Sequence, residues 1–340
     1  MRVRGGIVGA MALVLLVSAI CAAGETGYRF AKSWGKPGTG PSEFHEPIGI
    51  AVSGKEVFVS DAGNNRIQVF DLEGNMLRAF GRAGNGPGEL ARPMHMDVHD
   101  GKLYVAEYGN DRIQIFSLAG EPLTTVGTSG HGPGQFDSPG GVAVDRQGRL
   151  YVADFFNHRI QFLEADGRFI RQYGETGKKG RWGGRFNYPT DVALLPDGSL
   201  SVADAYNNRI QLFAPDSSLV RRWGGLFGFG IAGKFNGWFR VATSIAVGPT
   251  GNIFVTDFYN NRVQKFSPQG KFLTSVGTQE IGLGQLHYPT DVALDAEGNL
   301  YVVDFGNSRI VKFTVLHFRV VTIFLPDLPG SLRSPSFHFL

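Results

Sequence analysis

Six copies of one polar turn motif, four short apolar alternations per copy and no helical periodicity predict an all-β chain. The expected form is a six-bladed β-propeller of four-stranded antiparallel blades, closed by an N-terminal strand that joins the last blade. The copies read VSDAGNNRIQVF from Val59, VAEYGNDRIQIF from Val105, VADFFNHRIQFL from Val152, VADAYNNRIQLF from Val202, VTDFYNNRVQKF from Val255 and VVDFGNSRIVKF from Val302. Their arginines, Arg66, Arg112, Arg159, Arg209, Arg262 and Arg309, follow one another at 46, 47, 50, 53 and 47 residues. A period of that length means one supersecondary unit per copy, each burying its faces only against its neighbours.

In chain order, residues 1–23 read as a secretory signal: a basic start, an apolar run from Ile7 to Ile20, then small residues. Cleavage near Ala23 is expected. The alternative is an uncleaved anchor, since Gly5 to Gly24 is just long enough to span a bilayer. Cys21 is the only cysteine, and the bulky Ile20 before it does not suit lipid attachment. If it leaves with the leader, the mature chain has no thiol for a disulfide or a metal. Setting Arg2 and Arg4 aside lowers the formal charge from +3 to +1, which gives no reason to expect a nucleic-acid partner. An exported protein is therefore expected, periplasmic, extracellular or at the cell surface, with membrane contact only through an uncleaved leader.

Residues 28–313 hold the repeats. The third copy displays its strands most openly: GVAVD, RLYVAD, RIQFLE and FIRQYG, separated by RQG, FFNH and ADG. Alternations bounded by Gly, Asp and Asn are antiparallel strands joined by hairpins. The 48 glycines, twice the usual share, suit that many turns. The outer strand is missing after Phe313, while YRFAKSWG, Tyr28 to Gly35, matches the outer strands LRAFG, IRQYG and VRRWG. That segment is expected to close the ring. Residues 314–340 form a hydrophobic, Pro-containing tail without a counterpart in the repeats. It packs on the outside, docks a partner or reflects an altered reading frame, and the sequence leaves these open.

In the turn motif, a short carboxylate at the strand end can accept backbone N–H bonds, and Asn tolerates left-handed positions. The arginine five residues later can reach a carboxylate. Asp61, Glu107, Asp154, Asp204, Asp257 and Asp304, with the six arginines, are therefore assigned to structure, since a catalytic carboxylate is needed once and not six times.

The full pattern, P-x-G-[IV]-A-[VL]-D-x-x-G-x-[LI]-[YF]-V-[AT]-D-x-x-N-x-R-[IV]-Q-x-F, resembles NHL repeats over nearly all of 28–313. The resemblance implies a six-bladed propeller. It leaves function broad, because such propellers serve as extracellular binding modules, as RNA- or protein-binding ends of ubiquitin ligases, and as the peptidylamidoglycolate lyase fold. The export signal disfavours RNA, and a ligase RING would need several cysteines. Pro93-Met94-His95-Met96-Asp97 is similar to the lyases' Pro-His-Asp with residues inserted. Only His95 corresponds, so their three-histidine zinc site is not implied, nor are their disulfides.

Strand alternation places the long interblade loops on the same face as the Asp-x-x-Asn turns, and long loops on a rigid ring are where binding usually sits. The residues before each inner strand's apolar core form a ring: Gly49, His95, Gly141, Asp191, Ser244 and Asp291. His95, Asp191 and Asp291 can ligate zinc or calcium, with His45 and His287 in the loops above. The bland reading keeps the aspartates as turn caps and His95 as polar lining; no cofactor is then required. Tyr206 and Tyr259 in the turns can form a platform if exposed. GETGKKGRWGGRF brings Lys178, Lys179, Arg181 and Trp182, and GGLFGFGIAGKFNGWFR brings Trp238. The leading expectation is a monomeric, non-enzymatic module that binds a protein, peptide or glycan through this face around a channel mouth. A metal-dependent lyase or lactone hydrolase at that mouth is the alternative.

Overall fold

A computed structural model describes residues 27–277 and 283–316 of the chain. The leader 1–23, Cys21 and the tail beyond Leu316 lie outside the described residues. Among these residues no helix is long and apolar enough to cross a membrane.

Six four-stranded antiparallel sheets stand around an axis. Blade 1 runs outward through Pro47–Ser53, Glu56–Asp61, Arg66–Asp71 and Met76–Phe80. Blade 2 comprises Pro93–His99, Lys102–Glu107, Arg112–Ser117 and Pro122–Val126. Blade 3 comprises Pro139–Val144, Leu150–Asp154, Arg159–Leu163 and Phe169–Gly174. Blade 4 comprises Asp191–Leu194, Leu200–Asp204, Arg209–Phe213 and Leu219–Trp223. Blade 5 comprises Ala242–Val247, Ile253–Asp257, Arg262–Phe266 and Phe272–Val276. Blade 6 takes Pro289–Leu294, Leu300–Asp304 and Arg309–Val315 from the end of the chain and Tyr28–Trp34 from its start.

The closing strand is where the sequence places it. Tyr28 faces Val315, Phe30 faces Phe313 and Trp34 faces Ile310. The partner strand runs two residues past Phe313, so Thr314 and Val315 belong to the blade. Pairing the two chain ends in one sheet ties the start of the chain to its last blade, and Tyr28–Trp34 becomes the outer edge strand of that blade.

No single centre holds the molecule together. Six apolar clusters form instead, one at each blade–blade interface; Phe58, Ile67 and Val69 of blade 1, for example, meet Met96, Leu103 and Val105 of blade 2. Each blade is covered on both faces, so its middle strands are buried along their length, as in RIQLF of blade 4. A long-loop residue, Phe44, Leu90, Phe136, Phe186, Phe239 or Leu286, is buried at each interface as well.

Each motif carboxylate is the hub of a hydrogen-bond network in its own blade. Asp204 accepts the backbone N–H of Asn187 at 2.8 Å, Asn207 Nδ2 at 3.0 Å, Arg209 Nε at 2.7 Å and Gln211 Nε2 at 3.0 Å. Arg209 also donates to the carbonyls of Trp182 and Arg185 in the long loop. Equivalent Arg–carboxylate pairs of 2.6–2.8 Å occur in all six blades. The residue before each arginine, Asn65, Asp111, His158, Asn208, Asn261 or Ser308, has φ between 48° and 56°. Such left-handed residues favour Asn and Asp. Five of them also accept a backbone N–H from the next blade's loop, as Asn261 Oδ1 does from Tyr288 at 2.9 Å. The turn thus locks its own loop through the carboxylate and the neighbouring blade through the following polar residue.

Candidate functional site

The inner strands bring the predicted ring together. Gly141 packs so closely against blade 4 that a Cβ there would lie 2.3 Å from Asp191 Oδ1. Ser244 donates its hydroxyl to Asp291 Oδ1. His95, Asp191 and Asp291 are buried, and one ligand atom from each lies within 4.8 Å of the others. His95 Nδ1 stands 3.1 Å from Asp291 Oδ2, yet it is not aligned for a hydrogen bond and has no other partner among the described residues.

The two carboxylates also stitch blades. Asp291 Oδ2 accepts Ile50 N–H of blade 1 at 2.8 Å, and Asp191 Oδ2 accepts Ile245 N–H of blade 5 at 3.0 Å. A third carboxylate, Asp97, does the same from blade 2, accepting Val144 N–H of blade 3 at 2.7 Å. Alternate interfaces therefore carry one carboxylate staple each. The sequence reading missed Asp97. Its signal is a carboxylate where the other inner strands have Ala51, Ala143, Ala193, Ala246 and Ala293.

Burial and charge oppose each other here. Desolvation would lower the His95 imidazole, but Asp291 and Asp191 overcome it and raise the group to about 9. Desolvation pushes Asp191 up to about 7, with His95 pulling it down and Asp291 pushing it further up. Asp97 is half-buried and reached from the cavity, yet desolvation raises it to about 6 against the two N–H groups it accepts. One imidazole nitrogen and two carboxylates thus converge, a donor set that suits a divalent cation.

A cavity of about 300 Å³ starts at these three residues. Its lining continues through Asp97, Ala193 and Ala246 to Val98, Leu194 and Val247, the short-turn ends of the inner strands. Exposure rises along the same path, so the cavity opens towards the short-turn face. No long-loop residue lines it. The expectation of one mouth shared by His95, Asp191 and Asp291 with the aromatics is corrected on this point: the inner strands close tightly at their N-terminal ends, and the cavity lies below them.

The remaining candidates lie at the surface of the long-loop face. Trp182, Tyr206 and Tyr259 are exposed, as are Lys178, Lys179 and Arg181. Trp238 is half-buried and packs edge-on against Phe235, with ring centres 5.4 Å apart. Lys178 and Arg185 both pair with Glu175. His45 and His287 are exposed and do not join the buried cluster. The other turn aromatics pack together in two groups, one around Phe155 and Tyr188 and one around Phe258 and Tyr288.

The NHL repeat family is matched at residues 44–70, 136–161, 186–213, 239–266 and 286–313. Blade 2, which carries His95 and Asp97, is the blade without a match. No curated protein sequence matches the chain. Among solved structures, it is similar to a protein of unknown function from Bacteroides thetaiotaomicron, at 17% identity over 86% of this chain and 77% of that one, with TM-score 0.67. It is similar also to a gluconolactonase from Xanthomonas campestris, at 15% identity, 80% and 87% coverage and TM-score 0.60. Virginiamycin B lyase from Staphylococcus aureus is similar at 17% identity, 80% and 95% coverage and TM-score 0.55. At such identities these likenesses concern the fold. Five matched repeats, the six observed blades and the recurring Asp–Asn–Arg–Gln network together make the chain an NHL-repeat six-bladed β-propeller.

Proposed function

We propose that the chain is an exported binding module that captures an acidic, apolar-studded protein segment on its long-loop face, at blades 4 and 5. One observation carries this reading: the loop 224–241 presents Leu226, Phe227, Phe229, Ile231 and Phe235 to solvent, with Phe227 82% exposed. In the neighbouring loop Trp182 is 73% exposed. Apolar clusters of this kind mark interaction surfaces. Lys179, Arg181 and Lys234 are exposed beside them and take part in no ion pair among the described residues, which favours an acidic partner. Leu226, Phe227 and Ile231 offer nothing to sugar hydroxyls, so a polypeptide fits better than a glycan. Export rests on the leader, and N-terminal sequencing of the secreted protein tests it.

Peptide display against the wild-type chain, counter-selected on a Trp182→Ser/Phe227→Ser/Phe235→Ser variant, tests the binding reading. A consensus joining acidic and apolar residues supports it. An empty or basic consensus, or concentration-dependent dimerisation abolished by the triple substitution, refutes it.

A second reading, a metal-dependent enzyme working from the channel, is supported by the convergence of His95, Asp191 and Asp291. Nitrogen and carboxylate donors suit zinc, and the carboxylates suit calcium. A bound cation there would polarise a carbonyl or activate water. Elemental analysis of the purified chain decides it: stoichiometric metal that is lost in His95→Ala supports the enzyme, and a metal-free protein sinks it.

A further inference from the structure

The short-turn face carries a second cavity, about 760 Å³, where the gap between blades 3 and 4 opens beside the channel. The repeats themselves indicate what belongs in it. In blade 1, Arg78 of the outer strand lies over the Phe58 ring and pairs through both terminal nitrogens with Glu56, at 2.6 and 2.8 Å. It also donates to the Leu118 carbonyl of blade 2. In blade 3 the corresponding outer-strand residue is Arg171, which lies over Phe162 at 4.9 Å and donates to the equivalent carbonyl of blade 4, Pro215, at 3.1 Å.

The carboxylate is what differs. The position of Glu56 is occupied in blade 3 by Arg149, which also stands 4.9 Å from the Phe162 ring. Two guanidinium groups therefore share one aromatic ring, and no carboxylate bridges them. Arg149 directs its Nε to Asp145 at 2.7 Å and its Nη2 to Gln147 Oε1 at 3.4 Å, and its Nη1 has no acceptor among the described residues. Arg171 has neutral acceptors only, Pro215 O and the Tyr173 hydroxyl, for its Nη2. Its Nε is buried without a partner, as is that of Arg78. Beneath them, Tyr151 stacks on Phe162 at 4.2 Å and is 5% exposed, and its hydroxyl makes no hydrogen bond among the described residues although Tyr151 lines the cavity. Arg146 adds a third, exposed guanidinium at the rim.

Three carboxylates line the same cavity and balance its formal charge, but each is turned into its own β-turn. Asp145 accepts the N–H groups of Gln147 and Arg149, Asp197 that of Ser199, and Asp295 those of Glu297 and Asn299. Arg149, Arg171 and Tyr151 line the cavity as well, and each keeps a polar hydrogen without an acceptor among the described residues.

We propose that this cavity binds a small organic anion, a carboxylate or phosphate on an apolar or aromatic body, whose charged group takes the place that Glu56 holds in blade 1. Arg149 and Arg171 clamp the oxyanion, Tyr151 donates its hydroxyl, and Leu194, Pro196 and Pro215 cover the apolar part. Planar guanidinium forks suit both oxyanions. The site lies on the face opposite to the proposed docking surface and is independent of it.

Calorimetric titration of the full chain with phenylacetate, phenyl phosphate and neutral phenylacetamide tests this. At least one anion is expected to bind at millimolar concentration or below while the amide does not, and the stronger of the two identifies the oxyanion. Arg149→Glu rebuilds the blade 1 ion pair and is expected to weaken anion binding by about tenfold or more while raising the melting temperature. Arg171→Gln is expected to weaken binding without that gain. Absence of binding by both anions, equal binding of the amide, or affinities unchanged in Arg149→Glu and Arg171→Gln would overturn the proposal.

Discussion

Replacing Asp204 by Asn keeps the shape of the turn and removes one charge. Arg209 is then left in the interior, 0% exposed, with only carbonyl oxygens to meet its guanidinium. Breaking one side of a buried pair costs about 3–5 kcal/mol, because the orphaned charge stays desolvated. The same change in blade 6, Asp304→Asn, should cost about 1–2 kcal/mol, since water already reaches the partner. There the Arg309 side chain is 28% exposed and Val311 stands where the other blades have Gln. Urea unfolding followed by tryptophan fluorescence measures both. A further change of Arg209→Met in the Asp204→Asn background should recover part of the loss. Burial raises the Asp204 carboxyl, so the result also reports its charge: the four donors around it argue that it is ionised. A loss below about 1 kcal/mol in Asp204→Asn, or equal losses in the two blades, would refute the reasoning and mean that the acid is already neutral in the fold.

The pH dependence of stability should be inverted relative to ordinary carboxylate-rich proteins. The raised imidazole of His95 contributes stability that is whole below 6.5 and lost as pH rises through about 9. Asp97 and Asp191, raised to about 6 and 7, lose stability in the same direction as they ionise. Melting temperatures should therefore fall between mildly acidic and alkaline pH, and a rise over that range would contradict the account. Gly141→Ser should deform the channel ring, because its Cβ would fall 2.3 Å from Asp191 Oδ1; a variant as stable as the wild type would show that the ring is looser than described. Trp34→Ala in the closing strand removes ring contacts to Phe70 and Tyr301. It should cost about 3 kcal/mol in urea unfolding, and a neutral result would argue that closure does not limit stability.

The blades were legible because repetition multiplies a weak signal. One VADAYNNRIQLF is an ambiguous strand–turn–strand; six at near-constant spacing admit little besides a ring. The missing outer strand after Phe313 and the orphan YRFAKSWG likewise predict the closure that Tyr28 and Val315 make. The ring of His95, Asp191 and Asp291 was legible for the same reason, since equivalent positions in a closed ring must approach the axis.

What repetition cannot convey is where the symmetry breaks and which way space opens. Asp97 differs from five alanines by one letter, and only the packed inner strands give that carboxylate the Val144 amide. The channel opens towards the short-turn face because the Pro-rich strand starts press together at the other end, a matter of interatomic distance between blades that no single repeat encodes. Arg149 and Arg171 are 22 residues apart in sequence. They become one site because cross-strand register sets both over Phe162 and removes the carboxylate that blade 1 keeps. The sequence by itself determined the number of blades, their strands and their closure, since those follow from local periodicity. Tertiary structure alone decided which polar groups are buried, paired or left waiting, because desolvation and charge pairing depend on neighbours brought from other blades.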